Sequence, residues 1–89
     1  MDRITYTTFG TCSKFIDIEI ENGIINQVNF IGGCSGNTQG VGALIKGMHI
    51  KEAINRLQGI KCGNKNTSCP DQLAQALIGY LEKKDKENV

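Results

Sequence analysis

Two hydrophobic patterns follow each other along the chain. In the first third, apolar residues recur at every second position, most clearly at 15–21, where three isoleucines alternate with acidic residues. This alternation is typical of a β-strand with one buried and one solvated face. The runs 4–9 and 24–31 are rich in the β-branched and aromatic residues that strands prefer. We therefore predict three strands, at 4–9, 15–21 and 24–31.

The connection between the second and third strands contains Asn22-Gly23, a dipeptide typical of tight hairpin turns. A regular hairpin with only these two residues in the turn would set isoleucines of the second strand opposite polar residues of the third. A three-residue loop, Glu21–Gly23, would instead place Ile16 opposite Val28. We predict the three-residue loop because it keeps the apolar residues on one face.

After residue 31 the apolar period lengthens to about 3.6 residues, which indicates amphipathic helices. Three apolar stripes predict three helices, and their members are Val41, Leu44, Ile45 and Met48; Ile50, Ala53, Ile54 and Leu57; and Leu73, Ala76, Leu77, Tyr80 and Leu81. Gly47 and His49 close the first helix, and we expect His49 to be a cap or surface residue rather than a ligand. Gly59 stands where a helix C′ residue is expected.

Glycines interrupt the first of these helices, at Gly36, Gly40 and Gly42. Each interior glycine costs about 1 kcal/mol relative to alanine, so tertiary packing must hold the helix. Glycine at such positions indicates close approach of another backbone segment.

The order of elements predicts one α+β domain over residues 1–89, with a three-stranded antiparallel sheet followed by about three helices packed on one face. The chain has 89 residues, which is enough for one hydrophobic core. No repeat or linker divides it. Residues 82–89 form a charged segment that we expect to be a frayed tail.

The charge balance argues against some partners. Ten basic and nine acidic side chains leave a formal charge of +1, which gives no strong attraction for nucleic acid or anionic lipid. No apolar stretch approaches the roughly 20 residues of a membrane-spanning helix, and the first residues lack a signal-peptide core. We expect a cytoplasmic protein without a membrane or nucleic-acid partner.

Four cysteines in so short a chain need an explanation: Cys12, Cys34, Cys62 and Cys69. All four lie in junctions between predicted elements, where functional sites are commonly built. Disulfides are rare in a reducing cytosol, which favours metal binding or thiol chemistry. Inert buried thiols are the alternative, because cysteine also packs as a small apolar residue. The spacing lacks the C-x2-C pairs of a zinc ribbon.

The position of the last cysteine relative to the third predicted helix can be specified, because Pro70 follows it. Proline is favoured at the first position of a helix, so we predict Cys69 as the N-cap and Pro70 as the first helical residue. The sulfur would then face the N–H groups of Asp71 and Gln72. Those donors would lower the pKa of the thiol below its usual value of about 8.5.

The pentapeptide Thr67–Asp71 reads TSCPD, and the segments Phe9–Cys12 and Phe30–Asn37 extend the likeness. The chain resembles the TSCPD domain family, whose members are small separate proteins or the C-terminal domain of adenosylcobalamin-dependent ribonucleotide reductases. The resemblance implies an accessory, metal-binding role beside a reductase of that type. A chain of 89 residues has no room for the catalytic barrel, so we do not expect ribonucleoside-diphosphate reductase activity from it alone.

The predicted architecture is also similar, more distantly, to U-type iron–sulfur scaffold proteins. That likeness implies that Cys12, Cys34 and Cys69 converge on zinc or a nascent iron–sulfur cluster. The chain has Lys14 where the scaffold family has an aspartate, and it adds Cys62. A closed site of four thiolates is therefore favoured over cluster assembly and transfer.

Three functions follow from these residues. The leading hypothesis is a metal-binding accessory module in which Cys12, Cys34, Cys62 and Cys69 hold zinc or an iron–sulfur cluster. The second is a thiol redox module that passes electrons to a reductase through Cys62 and Cys69. The third is a structural interaction domain without chemistry.

Overall fold

The computed structural model describes residues 2–8, 10, 13–32, 35–61 and 67–87, in which three strands precede three helices. The strands pair antiparallel in the order β1-β2-β3, which confirms the predicted α+β class. The elements are β1 (Asp2–Thr7), β2 (Ser13–Glu21), β3 (Ile24–Gly32), α1 (Ser35–Ile45), α2 (Ile50–Leu57) and α3 (Cys69–Glu87).

The apolar face of the central strand, β2, forms one side of the core. Ile16, Ile18 and Ile20 are completely or almost completely buried, as their alternation with acidic residues predicts. Burial of one such side chain contributes about 1.5–3 kcal/mol. The other buried apolar residues come from β3 and the helices: Ile25, Ile45, Ile50, Ala53, Ile54, Leu57, Leu73, Ala74, Ala76 and Leu77.

The hairpin between β2 and β3 differs from the prediction. Asn22 and Gly23 both have positive φ, and Glu21 pairs with Ile24, so the turn has two residues and the predicted three-residue loop is wrong. The pairing register of β2 and β3 then shifts between Glu19 and Ile20, where the two strands form a bulge. The shift restores the apolar face, because Ile18 lies opposite Val28 and Ile16 opposite Phe30.

The connection between α1 and α2 pairs with the beginning of β3. The Gly47 N–H donates to the Ile25 carbonyl at 2.7 Å, and the Ile25 N–H donates to the Met48 carbonyl at 2.9 Å. His49 then caps α2, since its Nδ1 accepts from the Lys51 N–H at 3.2 Å. The expected role of His49 as a cap is confirmed.

The predicted α2 stripe is buried throughout, and the helix ends as predicted. Gln58 is the C-cap residue of α2, and Gly59 follows it with φ +86°. Gly59 is therefore the C′ residue that the sequence predicts.

Most of the predicted α1 stripe faces the core: Ile45 is buried, and Val41 and Met48 pack against the core residues. Leu44 is the exception, since it is 80% exposed, and Met48 lies beyond the end of α1 at Ile45. The buried face centres on Gly42, where an added Cβ would lie 3.1 Å from the Val28 carbonyl oxygen. This contact with β3 confirms the close backbone approach that the glycines of α1 predict.

Helix α3 extends beyond its apolar stripe, from Cys69 to Glu87. The charged segment predicted as a frayed tail from residue 82 is therefore helical as far as residue 87. Tyr80 donates its hydroxyl hydrogen to the Asp2 carboxylate, which Lys84 also contacts at 3.0 Å. These contacts join α3 to the start of β1. Of the described helices, none combines the length and apolar content that a membrane crossing requires.

Two glycines of α1 form a matched test of the close approach to β3. An added Cβ meets nothing within 4 Å at Gly40, whereas at Gly42 it meets backbone at 3.1 Å. We expect Gly40→Ala to raise the free energy of unfolding by about 0.5–1 kcal/mol through helix propensity. We expect Gly42→Ala to lower it by about 1 kcal/mol, because overpacking outweighs that gain. Urea denaturation measures both, and equal stabilisation by the two would contradict the packing of α1.

Candidate functional site

The start of α3 carries the densest set of polar contacts in the described part of the chain. We call it the α3 mouth; its residues are Thr67, Ser68, Cys69, Asp71 and Gln72. Ser68 Oγ accepts from the Asp71 N–H at 3.2 Å, and the Ser68 carbonyl accepts from the Gln72 N–H at 2.8 Å. Ser68 is therefore the N-cap of α3, and the prediction of Cys69 as N-cap is wrong.

Ser68 takes the N-cap position for a simple chemical reason. A serine hydroxyl is a strong acceptor for the N–H groups of a first helical turn, and Ser68 with Asp71 three residues later has the spacing of a capping box. Cys69 then occupies the first helical position and Pro70 the second. Proline is tolerated there because the first four N–H groups of a helix have no partner within it. Both N–H groups predicted to face the Cys69 sulfur donate to Ser68.

The Asp71 carboxylate joins the two chain segments that meet at the α3 mouth. Its Oδ1 accepts from the Gly59 N–H at 2.8 Å, and its Oδ2 accepts from the Thr67 hydroxyl. Gln72 Nε2 in turn donates to Thr67 Oγ1 at 3.0 Å. Because Gly59 follows α2, the carboxylate holds the end of α2 against the start of α3.

Asp71 is ionised in this setting although it is only 8% exposed. Burial acts to raise the pKa of its carboxyl, but the hydrogen bonds from Thr67, the Gly59 N–H and Gln75 outweigh burial and hold the pKa below its usual value. The contacts therefore stabilise a buried negative charge.

A second bond links the same two segments. The Ser68 hydroxyl donates to the Ile60 carbonyl at 2.7 Å. Ile60 stands two residues before Cys62, and Ser68 immediately precedes Cys69. A hydrogen bond thus joins the two described segments that flank residues 62–66.

The β1–β2 connection also reaches the α3 mouth. Gly10 has φ +72°, and a Cβ added to it would lie 3.1 Å from Thr67 Cγ2. Glycine is favoured at this point for two reasons: it adopts a positive φ without strain, and it lacks the Cβ that would crowd Thr67. Gly10 stands two residues before Cys12, so a described neighbour of that cysteine lies against the α3 mouth.

The same end of the sheet holds the described neighbours of Cys12 and Cys34. Ser13, which follows Cys12, pairs with Gly32, which precedes Cys34 by two residues. A register shift between Ser13 and Phe15 distorts β2 beside this pair. Bulges of this kind are common next to functional sites, where they redirect the chain.

Of the four cysteines predicted as ligands, only Cys69 is described. It is half-buried at the first position of α3. Cys12, Cys34 and Cys62 lie outside the described residues. Among the described residues, no group of three or more histidine, cysteine, aspartate or glutamate side chains could hold a metal ion. Ligation by the four cysteines stays a prediction.

The side-chain chemistry of Cys69, the described cysteine, fits a thiolate-bound metal. Cysteine thiolates are the ligands that zinc and iron–sulfur clusters share. Every buried side-chain nitrogen and oxygen in the described ranges already has a hydrogen-bond partner, so a metal would not compete with the α3 mouth for these atoms.

Sequence reasoning missed the role of Asp71. The signal was present, since a serine followed three residues later by an acidic residue indicates a capped helix start. The bond from Asp71 to Gly59 and the contact between Gly10 and Thr67 join segments far apart in the sequence, and no local pattern predicts them.

Comparison with known proteins agrees with the motif. The family model described as the TSCPD domain matches residues 1–81. The match includes all four cysteines and the whole α3 mouth. No curated protein and no solved structure gives a significant match.

The N-cap assignment can be tested with two neighbouring substitutions. Ser68→Ala removes the capping acceptor and the donor to Ile60, so we expect the free energy of unfolding to fall by about 1–2 kcal/mol. Cys69→Ala leaves both bonds intact and should cost less in the metal-free protein. Urea denaturation of metal-free protein gives the two values. A larger loss from Cys69→Ala than from Ser68→Ala would contradict the assignment.

The lowered pKa of Asp71 predicts a particular pH dependence of stability. Its stabilising effect is complete above the unfolded-state pKa of about 3.9 and is lost as the pH falls through the lower, folded-state value. In metal-free protein we expect Asp71→Asn to cost about 1–3 kcal/mol near neutral pH. The difference from wild type should shrink below about pH 4.

Asp2 is the control for this measurement. The hydrogen bonds from Tyr80 and Lys84 lower the pKa of Asp2 as well, so it titrates in the same acid range. The effect of Asp71→Asn should therefore persist in an Asp2→Asn background. A cost of Asp71→Asn that stays constant down to pH values well below the usual aspartate range would show that the charge of Asp71 has no part in it.

Proposed function

This chain belongs to the TSCPD domain family, and we propose that it is a small metal-binding accessory module. In this proposal Cys12, Cys34, Cys62 and Cys69 hold zinc or an iron–sulfur cluster. Four thiolates leave no open coordination position, which is typical of structural zinc or a stably held cluster rather than of a catalytic metal.

The supporting observation is a set of three contacts among the described neighbours of the four cysteines. Ser13 pairs with Gly32 at one end of the sheet. Gly10, on the other side of Cys12, lies against Thr67. Ser68, next to Thr67, donates to the Ile60 carbonyl. The four cysteine-bearing segments thus have described neighbours in one region of the fold.

The metal would act mainly as a cross-link. When bound, it supplies a covalent connection between segments that are far apart in the sequence. Structural zinc in small domains contributes apparent free energies of about 10–16 kcal/mol. The total stability of a domain is about 5–15 kcal/mol, so a bound metal would add substantially to the stability that the hydrophobic core and the α3 mouth already provide.

The proposed partner is an enzyme of the ribonucleotide reductase type. The support is family membership, because TSCPD domains resemble the C-terminal domain of adenosylcobalamin-dependent members of that class. In such a pairing this chain would supply the cysteine-bound metal and the partner would supply catalysis.

One observation favours a second candidate, a thiol redox module. The bond between Ser68 and Ile60 holds the two sides of the segment containing Cys62 near Cys69. In this function the two thiols would form a disulfide and pass two electrons and two protons to a disulfide of the reductase. Titration of metal-free protein with oxidised and reduced dithiothreitol distinguishes it, since a redox module must form a reversible intramolecular disulfide.

The metal-binding proposal is tested by elemental analysis of protein purified without oxygen, together with its visible absorption spectrum. We expect either about one equivalent of zinc and no colour, or iron with sulfide and visible absorption bands. Cys69→Ser should reduce both metal content and thermal stability, because it removes one ligand.

Leu44→Ala is the matched control, since Leu44 is exposed on α1 and does not belong to the α3 mouth. It should leave the metal content unchanged. Wild-type protein without stoichiometric metal, or Cys69→Ser with the wild-type metal content, would contradict the proposal.

A further inference from the structure

We propose that Thr67 and Asp71 are positioning residues that hold the cysteine-bearing segments in place before metal binds. This inference rests on the proposed metal-binding function and adds a division of roles within the α3 mouth. Thr67, Ser68 and Asp71 build the site, and Cys69 supplies a ligand. Metal affinity would then depend on side chains that never touch the metal.

The first support is that the contacts at the α3 mouth are complete without a metal. Both oxygens of Asp71 accept hydrogen bonds, one from Gly59 and one from Thr67. Thr67 Oγ1 also accepts from Gln72. Each donor and acceptor in this set belongs to the chain itself, so the arrangement can exist in the metal-free protein.

The second support is the position of these contacts along the chain. Gly59 precedes Cys62 by three residues, and Thr67 precedes Cys69 by two. Gly10, which lies against Thr67, precedes Cys12 by two. One residue advances the chain by at most about 3.6 Å, so fixed points this close restrict where the sulfurs can lie.

The energetic consequence follows from the cost of ordering a chain. Without Asp71 or the Thr67 hydroxyl, the end of α2 and the start of α3 would have to be brought together when the metal binds. Part of the binding free energy would be spent on that ordering. Removal of groups that orient metal ligands typically weakens metal affinity by about 10–100-fold.

The experiment is a zinc(II) titration of each metal-free, reduced protein in competition with a chelating dye. Thr67→Val removes the hydroxyl and keeps the methyl group that contacts Gly10. Thr67→Ser restores the hydroxyl. Asp71→Asn changes the carboxylate, and Thr67→Val provides the test if Asp71→Asn does not fold. Circular dichroism checks that each metal-free variant is folded before titration.

Tyr80→Phe is the control for loss of a hydrogen bond as such. It deletes the hydroxyl that donates to Asp2, which lies at the start of β1 and outside the α3 mouth. Like Thr67→Val, this substitution removes one hydroxyl that donates a hydrogen bond, and it should lower the stability of the protein. It should nevertheless leave the zinc affinity unchanged.

We expect Thr67→Val and Asp71→Asn to bind the same one equivalent of zinc as wild type with about 10–100-fold lower affinity. Thr67→Ser should recover most of the affinity. Wild-type affinity in folded Thr67→Val would overturn the positioning role and leave the metal-binding proposal standing. Absence of zinc binding by wild-type protein would overturn both.

Discussion

The buried carboxylate of Asp71 constrains how α2 and α3 meet in this fold. A charge at this depth is tolerated only while hydrogen bonds compensate for lost hydration. Here the compensation comes from Gly59 after α2 and from Thr67 before α3. If the two segments separated, the negative charge would lose its donors. Together with the bond from Ser68 to the Ile60 carbonyl, this side chain fixes the relation between α2 and α3.

The sheet supplies the second fixed body. The isoleucines of β2 bury one face, and the register shift beside the hairpin keeps apolar residues opposite them. At the other end of β2, Ser13 pairs with Gly32 beside a second shift in register. Contact of Gly10 with Thr67 then connects this end of the sheet to the α3 mouth.

The elements themselves could be predicted because each has a regular apolar period, as in β2 and α2. The sequence-based predictions failed where backbone geometry, which the pattern of apolar side chains does not record, decides the structure. A bulge makes the two-residue turn at Asn22-Gly23 compatible with the apolar face, and Leu44 is exposed although its neighbour on α1, Ile45, is buried. Ser68 is the N-cap instead of Cys69, because its hydroxyl accepts a hydrogen bond from an N–H group of the first helical turn. Ligation by Cys12, Cys34, Cys62 and Cys69 stays a prediction.

The proposed metal site has four ligands: Cys12, Cys34, Cys62 and Cys69. X-ray absorption at the edge of the metal in the purified protein measures this directly, because it reports which atoms surround the metal. For zinc, we expect four sulfur neighbours at about 2.3 Å; for iron, we expect sulfur neighbours only, together with an iron–iron distance. A first shell dominated by oxygen or nitrogen would contradict this ligand set.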